Sequence, residues 1–285
     1  MKIIYNRQKK ILEGDEQYGE KYLNFLYNTL LGRILLMLII SPVFSKINAL
    51  YNKTFFSKNK IKKFIEKYKI DINDFDKTSY NSFDEFFIRK KKQISYNKEA
   101  NILISPADSK LIAYKIDNDL KIKIKQSIYT INELLCEDIN LNDYKQGNCL
   151  VFRLSVDDYH RYCYVDDGEM KKVKKINGCL HTISSISKDY KVYSQNTRIC
   201  NYISTKNFDD IIFIEVGALL VGKINNYQQP TFHKGEEKGY FELGGSTIVI
   251  ITKDNLKIDD DIFKYSQEGI ETKVKYGERI GELKC

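Results

Sequence analysis

Gly244-Gly245-Ser246-Thr247 is the stretch of this sequence best equipped for chemistry on the chain itself. Glycine lacks a Cβ, so residues 244–245 can take backbone conformations closed to other residues. A peptide bond held there is open to the hydroxyl one residue on. Ser246 can attack the carbonyl of Gly245 and move the acyl group from nitrogen to oxygen. Elimination from that ester breaks the chain and leaves dehydroalanine, which hydrolyses to a pyruvoyl group. The product is an electrophilic ketone made from the polypeptide. The competing reading is a tight turn entering a strand. The β-branched run that follows, Ser246-Thr-Ile-Val-Ile-Ile-Thr252, reads as a buried strand.

Two further stretches carry proton-handling groups. Ser105-Pro-Ala-Asp108 follows a short apolar run, and its aspartate either caps a turn or orients a histidine. Asp157-Asp-Tyr-His-Arg-Tyr-Cys163 follows the run ending Arg153-Leu154. His160 is one of three histidines, with His181 and His233. Imidazole titrates near neutrality, which suits proton transfer. The order Asp108, His160, Ser246 could assemble an activated serine, so a serine hydrolase remains an alternative. The Gly-x-Ser-x-Gly elbow of α/β-hydrolases is absent, which weighs against an ordinary esterase.

These residues need a scaffold, and the 285-residue chain divides into two textures. From Tyr22, apolar residues recur at helical spacing, then run unbroken through Ile34–Ile40 until Pro42 disrupts them. The run is shorter than the roughly 20 residues that cross a bilayer. It fits either a core helix or a helix lying in a membrane interface. Eight lysines between residues 46 and 69, and Arg89-Lys-Lys-Lys92, favour an anionic surface beside it. The net charge is +8. No nucleic-acid-binding module is recognisable, so no nucleic-acid partner is expected. After about residue 100, short strand-like runs dominate. The expectation is an α+β protein. A helical, basic, membrane-associating region over 1–90 would precede a β-rich catalytic domain over 91–285, barrel- or sandwich-like. The six cysteines form no CxxC pair, so no metal site is expected. They read as reduced thiols in a cytosol-facing protein, and the polar N-terminus shows no secretory signal.

Five motifs in order resemble those of the phosphatidylserine decarboxylases, the pyruvoyl-dependent lipid enzymes. They are Phe83-Asp-Glu-Phe-Phe-Ile-Arg89, Ser105-Pro-Ala-Asp108, Asp158-Tyr-His-Arg161, Val216-Gly-Ala-Leu-Leu-Val-Gly222, and Gly235–Phe241 leading into Gly244-Gly-Ser-Thr247. The resemblance implies a proenzyme that cuts itself between Gly245 and Ser246. A β chain of 1–245 and an α chain of 246–285 would stay together as a heterodimer, with a homodimer left open. Ser246 would become a covalent pyruvoyl group, the only cofactor. Asp108 and a histidine would assist the cleavage. The substrate would be phosphatidylserine in an anionic membrane, reached from its cytoplasmic side by a peripheral protein. Condensation of its amine with the ketone gives a Schiff base, and CO2 loss leads to phosphatidylethanolamine. A non-catalytic membrane-bound module is the non-enzymatic alternative.

The departures are informative. Many members carry a second histidine three residues after His160, where this chain has Cys163. Ser109 stands for their glycine, and Asn196-Thr-Arg198 for their Asn-Glu-Arg. His160 paired with Asp108 is therefore the expected cleavage base. Cys163, if its thiol pKa is depressed, and His181 are accessory candidates.

Overall fold

The run Ser246–Thr252 is a strand, and its composition follows from where it sits. Ile248 and Ile250 face one hydrophobic core, while Val249 and Ile251 face another. A strand buried on both faces has no polar side, hence the continuous β-branched run. The computed structural model describes residues 2–16, 19–124, 127–138, 140–183, 185–187, 190–220 and 223–284.

Ser246–Thr252 lies inside a ten-stranded sheet, between Asp210–Gly217 and Asn148–Leu154, antiparallel to both. Gly168–Ile176 and Arg198–Thr205 extend the sheet on the first side, and Ser109–Lys115 and Glu271–Val274 on the second. Two three-stranded sheets close over one face. One joins Ile224–Asn226, Glu237–Phe241 and Arg161–Cys163; the other joins Leu256–Ile258, Arg279–Leu283 and Ile102–Ile104. The hairpin Lys121–Ile124/Ser127–Thr130 and helix Ile131–Leu135 cover the other face. The fold is mixed α+β and dominated by sheet. It is layered like a sandwich, and the large sheet has two free ends, so it is not a closed barrel.

Two features of the N-terminal region differ from the sequence reading. Lys2–Asn6 and Ile11–Asp15 form a hairpin that adds to the edge of the large sheet, pairing in parallel with Glu271–Val274. The helix expected from Tyr22 up to Pro42 is two, Glu20–Asn28 and Leu30–Ile39, and a third helix, Pro42–Lys53, follows. Thr29 is extended, and its hydroxyl caps the second helix by accepting from the Gly32 amide at 3.0 Å. A Cβ on Gly32 would meet the Phe25 carbonyl oxygen at 2.0 Å, so only glycine permits the 106° corner. Pro42 opens the third helix behind a Ser41 cap instead of ending the second.

These helices are not core helices. Leu30, Met37 and Leu38 are 82%, 74% and 66% exposed, and Val43, Ile47 and Leu50 are exposed beside them. Among the described residues no single helix is long and apolar enough to cross a membrane.

Candidate active site

Ser246 opens its strand wedged between Gly217 and Leu154, its partners on either side. The residue is fully buried, and its hydroxyl has no hydrogen-bond partner among the described residues. Buried polar atoms are nearly always satisfied, so an orphaned hydroxyl points to a function beyond packing. Gly244 has φ 129°, a conformation that side chains disfavour. A Cβ on Gly245 would stand 3.6 Å from the Leu154 carbonyl oxygen and 3.9 Å from Cδ1 of Ile183. The 245–246 peptide thus runs between the end of Asn148–Leu154 and the 180–183 segment.

The Leu154 side carries His160. The turn after the strand is pinned by Asp158, which accepts from the Ser155 amide at 2.7 Å and from the Lys110 ammonium at 2.7 Å. The imidazole folds back so that Nε2 lies 3.0 Å from the Ser155 carbonyl oxygen. A carbonyl only accepts, so Nε2 carries the proton and Nδ1 carries a lone pair. Nδ1 is buried and has no partner among the described residues. The Phe87 ring lies against the imidazole at 4.3 Å between centroids. Burial pushes the His160 pKa down to about 4, helped by Arg89 and Lys110 and opposed by Asp158. The ring is neutral at pH 7.

The Gly217 side carries His181. Buried Asn196 donates from Nδ2 to the carbonyls of both His181 and Gly217 at 2.8 Å. Its Oδ1 accepts from the His181 amide at 3.0 Å. The His181 ring stacks on Tyr190 at 4.2 Å, and its Nδ1 lies 3.1 Å from the Tyr27 hydroxyl. Burial holds its pKa below the ordinary histidine value.

Asp108 and Cys163 sit elsewhere. Asp108 accepts from the Tyr276 amide at 2.8 Å and from Lys91 at 3.0 Å, with Lys275 at 3.6 Å. Burial would raise its pKa, but Lys275, Lys91 and the amide outweigh it and keep the carboxyl below its usual range. It makes no hydrogen bond to His160, so the expected Asp108–His160 pair does not form. The carboxylate serving the His160 turn is Asp158. Cys163 is fully buried, and burial pushes its thiol up to about 12. A base needs the opposite shift, so a Cys163 thiolate is corrected to a protonated thiol, with Sγ 3.9 Å from the Ser105 carbonyl.

The model of the family described as phosphatidylserine decarboxylase matches residues 80–282. The chain belongs to this family.

It is similar to phosphatidylserine decarboxylase proenzyme 2 of Clostridium acetobutylicum, 55% identical over 284 residues and covering 98% of both chains. Phosphatidylserine decarboxylase proenzymes of Clostridium tetani and of Clostridium botulinum strain Langeland are 40% and 39% identical. This chain is covered to 99% and 98%, and theirs to 98% and 99%.

Two of the five motifs meet at Ser246. Gly217, in Val216–Gly222, is its ladder partner; Val221 and Gly222 themselves lie outside the described residues, as does Cys285. The Phe87 ring lies tilted against His160, and buried Arg89 lies against the rings of Phe75 and Phe86. Beside Gly217 opens a cavity of about 810 Å³, between helix Pro42–Lys53 and the sheet. Lys46, Lys53, Lys175 and Lys223 rim it against one acid, Glu242. Lys53 is 3.3 Å from Glu242, whereas Lys46, Lys175 and Lys223 make no ion pair among the described residues. Such a cavity suits an anionic head group.

Sequence reading missed Lys110, Asp158 as a turn pin, Tyr27 and the cavity lysines. Lys110 had a signal, a charge inside a strand that is otherwise buried. Lys46 and Lys53 read in the sequence only as part of a basic surface; Tyr27, Lys175 and Lys223 had no signal, because only the fold brings Tyr27 to His181 and the two lysines to the cavity.

Proposed function

We propose that this chain cuts itself between Gly245 and Ser246 and then converts phosphatidylserine to phosphatidylethanolamine and CO2. One observation carries the reading: a buried serine hydroxyl with no partner among the described residues, two residues after a strained glycine, in a chain that matches decarboxylase proenzymes along nearly its whole length.

Self-cleavage starts at Ser246. Its Oγ attacks the Gly245 carbonyl carbon, the C–N bond gives way to C–O, and the freed nitrogen takes the proton. Loss of the Ser246 α-proton and of the Gly245 carboxylate leaves dehydroalanine. Water then displaces the α-nitrogen as ammonia, leaving a pyruvoyl group at residue 246. The residues fit that group: Ser246 has the free oxygen, and Gly245 offers an approach without a Cβ. The pyruvoyl carbonyl supplies the electron sink for decarboxylation. The chain divides into β 1–245 and α 246–285. The halves stay together because Ser246–Thr252 pairs on both sides with strands of the β chain.

His160 is the proposed proton acceptor, through the lone pair at Nδ1. The ring is held in that tautomer by Ser155 and kept neutral by burial. Asp108 supports the site at a distance through Tyr276 and the two lysines. A direct serine hydrolase is less well supported, since His160 has no carboxylate on its second nitrogen.

The helical part of region 1–90 would seat the enzyme on the cytoplasmic face of the membrane. Its exposed leucines would enter the interface while Lys46, Lys53 and the lysines of helix Asn59–Tyr68 meet anionic head groups. The lysine-rimmed cavity opens on the same helices, so a head group can enter without the lipid leaving the bilayer.

Intact mass spectrometry of the denatured protein tests this reading. The expected result is two chains, with the 246–285 chain lighter by one ammonia than if it began with serine, and reactive to carbonyl reagents. The sample should release CO2 from phosphatidylserine vesicles. A single unbroken active chain would refute it.

A further inference from the structure

In helix Glu20–Asn28 only Tyr27 is buried; Leu23 and Leu26 are half-buried and the other residues are exposed. The Tyr27 hydroxyl accepts from the Thr182 amide at 3.0 Å and lies 3.1 Å from Nδ1 of His181. One corner further on, the Ile40 carbonyl accepts from the Leu180 amide at 2.9 Å. Two adjoining helices therefore grip the same four residues, Leu180 to Ile183.

Those residues form a strap along the cleavage site. Leu180 packs so closely on Gly217 that a Cβ there would lie 3.1 Å from its Cδ2. Ile183 stands 3.9 Å from where a Gly245 Cβ would be. Asn196 ties the His181 carbonyl to that of Gly217, the ladder partner of Ser246. The strap thus touches both residues that frame the 245–246 peptide.

We infer that Tyr27 is a positioning residue for self-cleavage: it fixes the His181 ring and holds the 180–183 strap against Gly217 and Gly245. Its hydroxyl oxygen receives the Thr182 N–H, so its own proton goes to His181 Nδ1. His181 is then locked with its proton on Nε2. The same contacts join the outward-facing helices to the cleavage site, so the order of the strap depends on the docking of those helices. The inference rests on Gly245–Ser246 being the bond that is cut.

The test uses the full chain with Tyr27→Phe, which keeps the ring and removes the hydroxyl. Cleavage is followed from the newly made protein by intact mass. It should slow by about tenfold or more, the scale of losses from small misplacements near reacting atoms. Co-sedimentation with phosphatidylserine–phosphatidylcholine vesicles should be unchanged, which separates positioning from loss of the helices. The tautomer gives a second readout. With three histidines in the chain, ¹⁵N-histidine spectra of uncleavable Ser246→Ala protein resolve each ring. His181 should carry its proton on Nε2 and become a tautomer mixture on adding Tyr27→Phe. A His181 proton on Nδ1 in the parent overturns the inference without needing a folded variant. Wild-type cleavage matched by an equal rate in Tyr27→Phe overturns it while leaving the cleavage reading intact. An uncut wild-type chain overturns both.

Discussion

The Ser155 carbonyl accepts a hydrogen bond from Nε2 of His160 at 3.0 Å, which leaves Nδ1 as a buried lone pair with no partner among the described residues. That relationship supports the proposed role of the ring as proton acceptor. Ser155 continues the strand whose last residue, Leu154, pairs with Ser246. His160→Gln removes the lone pair but keeps the ring's approximate volume. Self-cleavage should slow by about 10²-fold or more, the usual worth of a positioned general base. Cys163→Ala, which removes only a protonated buried thiol, should leave the rate within about threefold. Intact-mass time courses decide it, and a larger effect at Cys163 than at His160 would reverse the assignment.

The same burial links His160 to acid stability. Its folded-state pKa, about 4, lies below the unfolded value of 6.5. The contribution is therefore fully present above pH 6.5 and is lost as pH falls towards 4, because the unfolded chain takes the proton first. The full loss is up to about 3 kcal/mol, at 1.36 kcal/mol per pKa unit. Urea unfolding of uncleavable Ser246→Ala protein, with and without His160→Gln, isolates the term. The gap between the two should move by about 2 kcal/mol in favour of the glutamine variant from pH 7 to pH 4.5. A pH-independent gap would mean that His160 is not held neutral.

Gly244 gives a prediction about strain. Its φ of 129° is open to glycine and costly for alanine. Gly244→Ala should relax the turn, slow maturation and leave an intact chain that still folds, since Ser246–Thr252 keeps both ladder partners. Ser246→Ala should block cleavage and decarboxylation completely, because no hydroxyl can attack. Denaturing gels of the two variants distinguish a slowed cut from an absent one.

Much of this was legible in the sequence, for identifiable reasons. The strand 246–252 announced itself because burial on both faces demands an unbroken β-branched run. The placement of Ser246 at the head of that strand and of His160 in the turn after Leu154 was readable because both follow from local pattern in the chain. The Asp108–His160 pair was not, because aspartate has no preference among nearby cations until the fold supplies Lys91 and Lys275. The helix break at Thr29 was hidden for a similar reason. Thr29 and Gly32 are ordinary helix residues until Phe25 approaches within reach. The N-terminal hairpin escaped because Lys2–Asn6 is too short to show a pattern without Glu271–Val274 beside it.

The cavity beside Gly217 makes a claim about substrate binding. Lys175 and Lys223 rim it without acidic partners among the described residues, on the strand and loop that face helix Pro42–Lys53 across the cavity. If they meet the lipid phosphate, Lys175→Met with Lys223→Met should raise KM for phosphatidylserine by about tenfold or more. Cleavage and kcat should change little, since neither lysine touches Ser246 or His160. Soluble glycerophosphoserine should show the same rise, which separates head-group contact from attraction to the membrane. An unchanged KM for both substrates would exclude these lysines from head-group recognition.

The exposed apolar face of Leu30–Ile39 makes the last prediction. Met37 and Leu38 stand outward, and burying each in a lipid interface is worth about 1.5–3 kcal/mol. Met37→Glu with Leu38→Glu removes that gain and adds charges that anionic lipid repels. Vesicle co-sedimentation should weaken by about 10²-fold at 0.1 M salt, a conservative fraction of the summed loss. Wild-type binding should fall further as salt rises, because the lysines of helix Pro42–Lys53 and helix Asn59–Tyr68 act through a screened field. Chain cleavage should survive the double substitution, since both side chains point away from the core that contains Ser246. Undiminished vesicle binding would show that the leucine-rich face is not what holds the protein to lipid, and would move that role to the lysines alone.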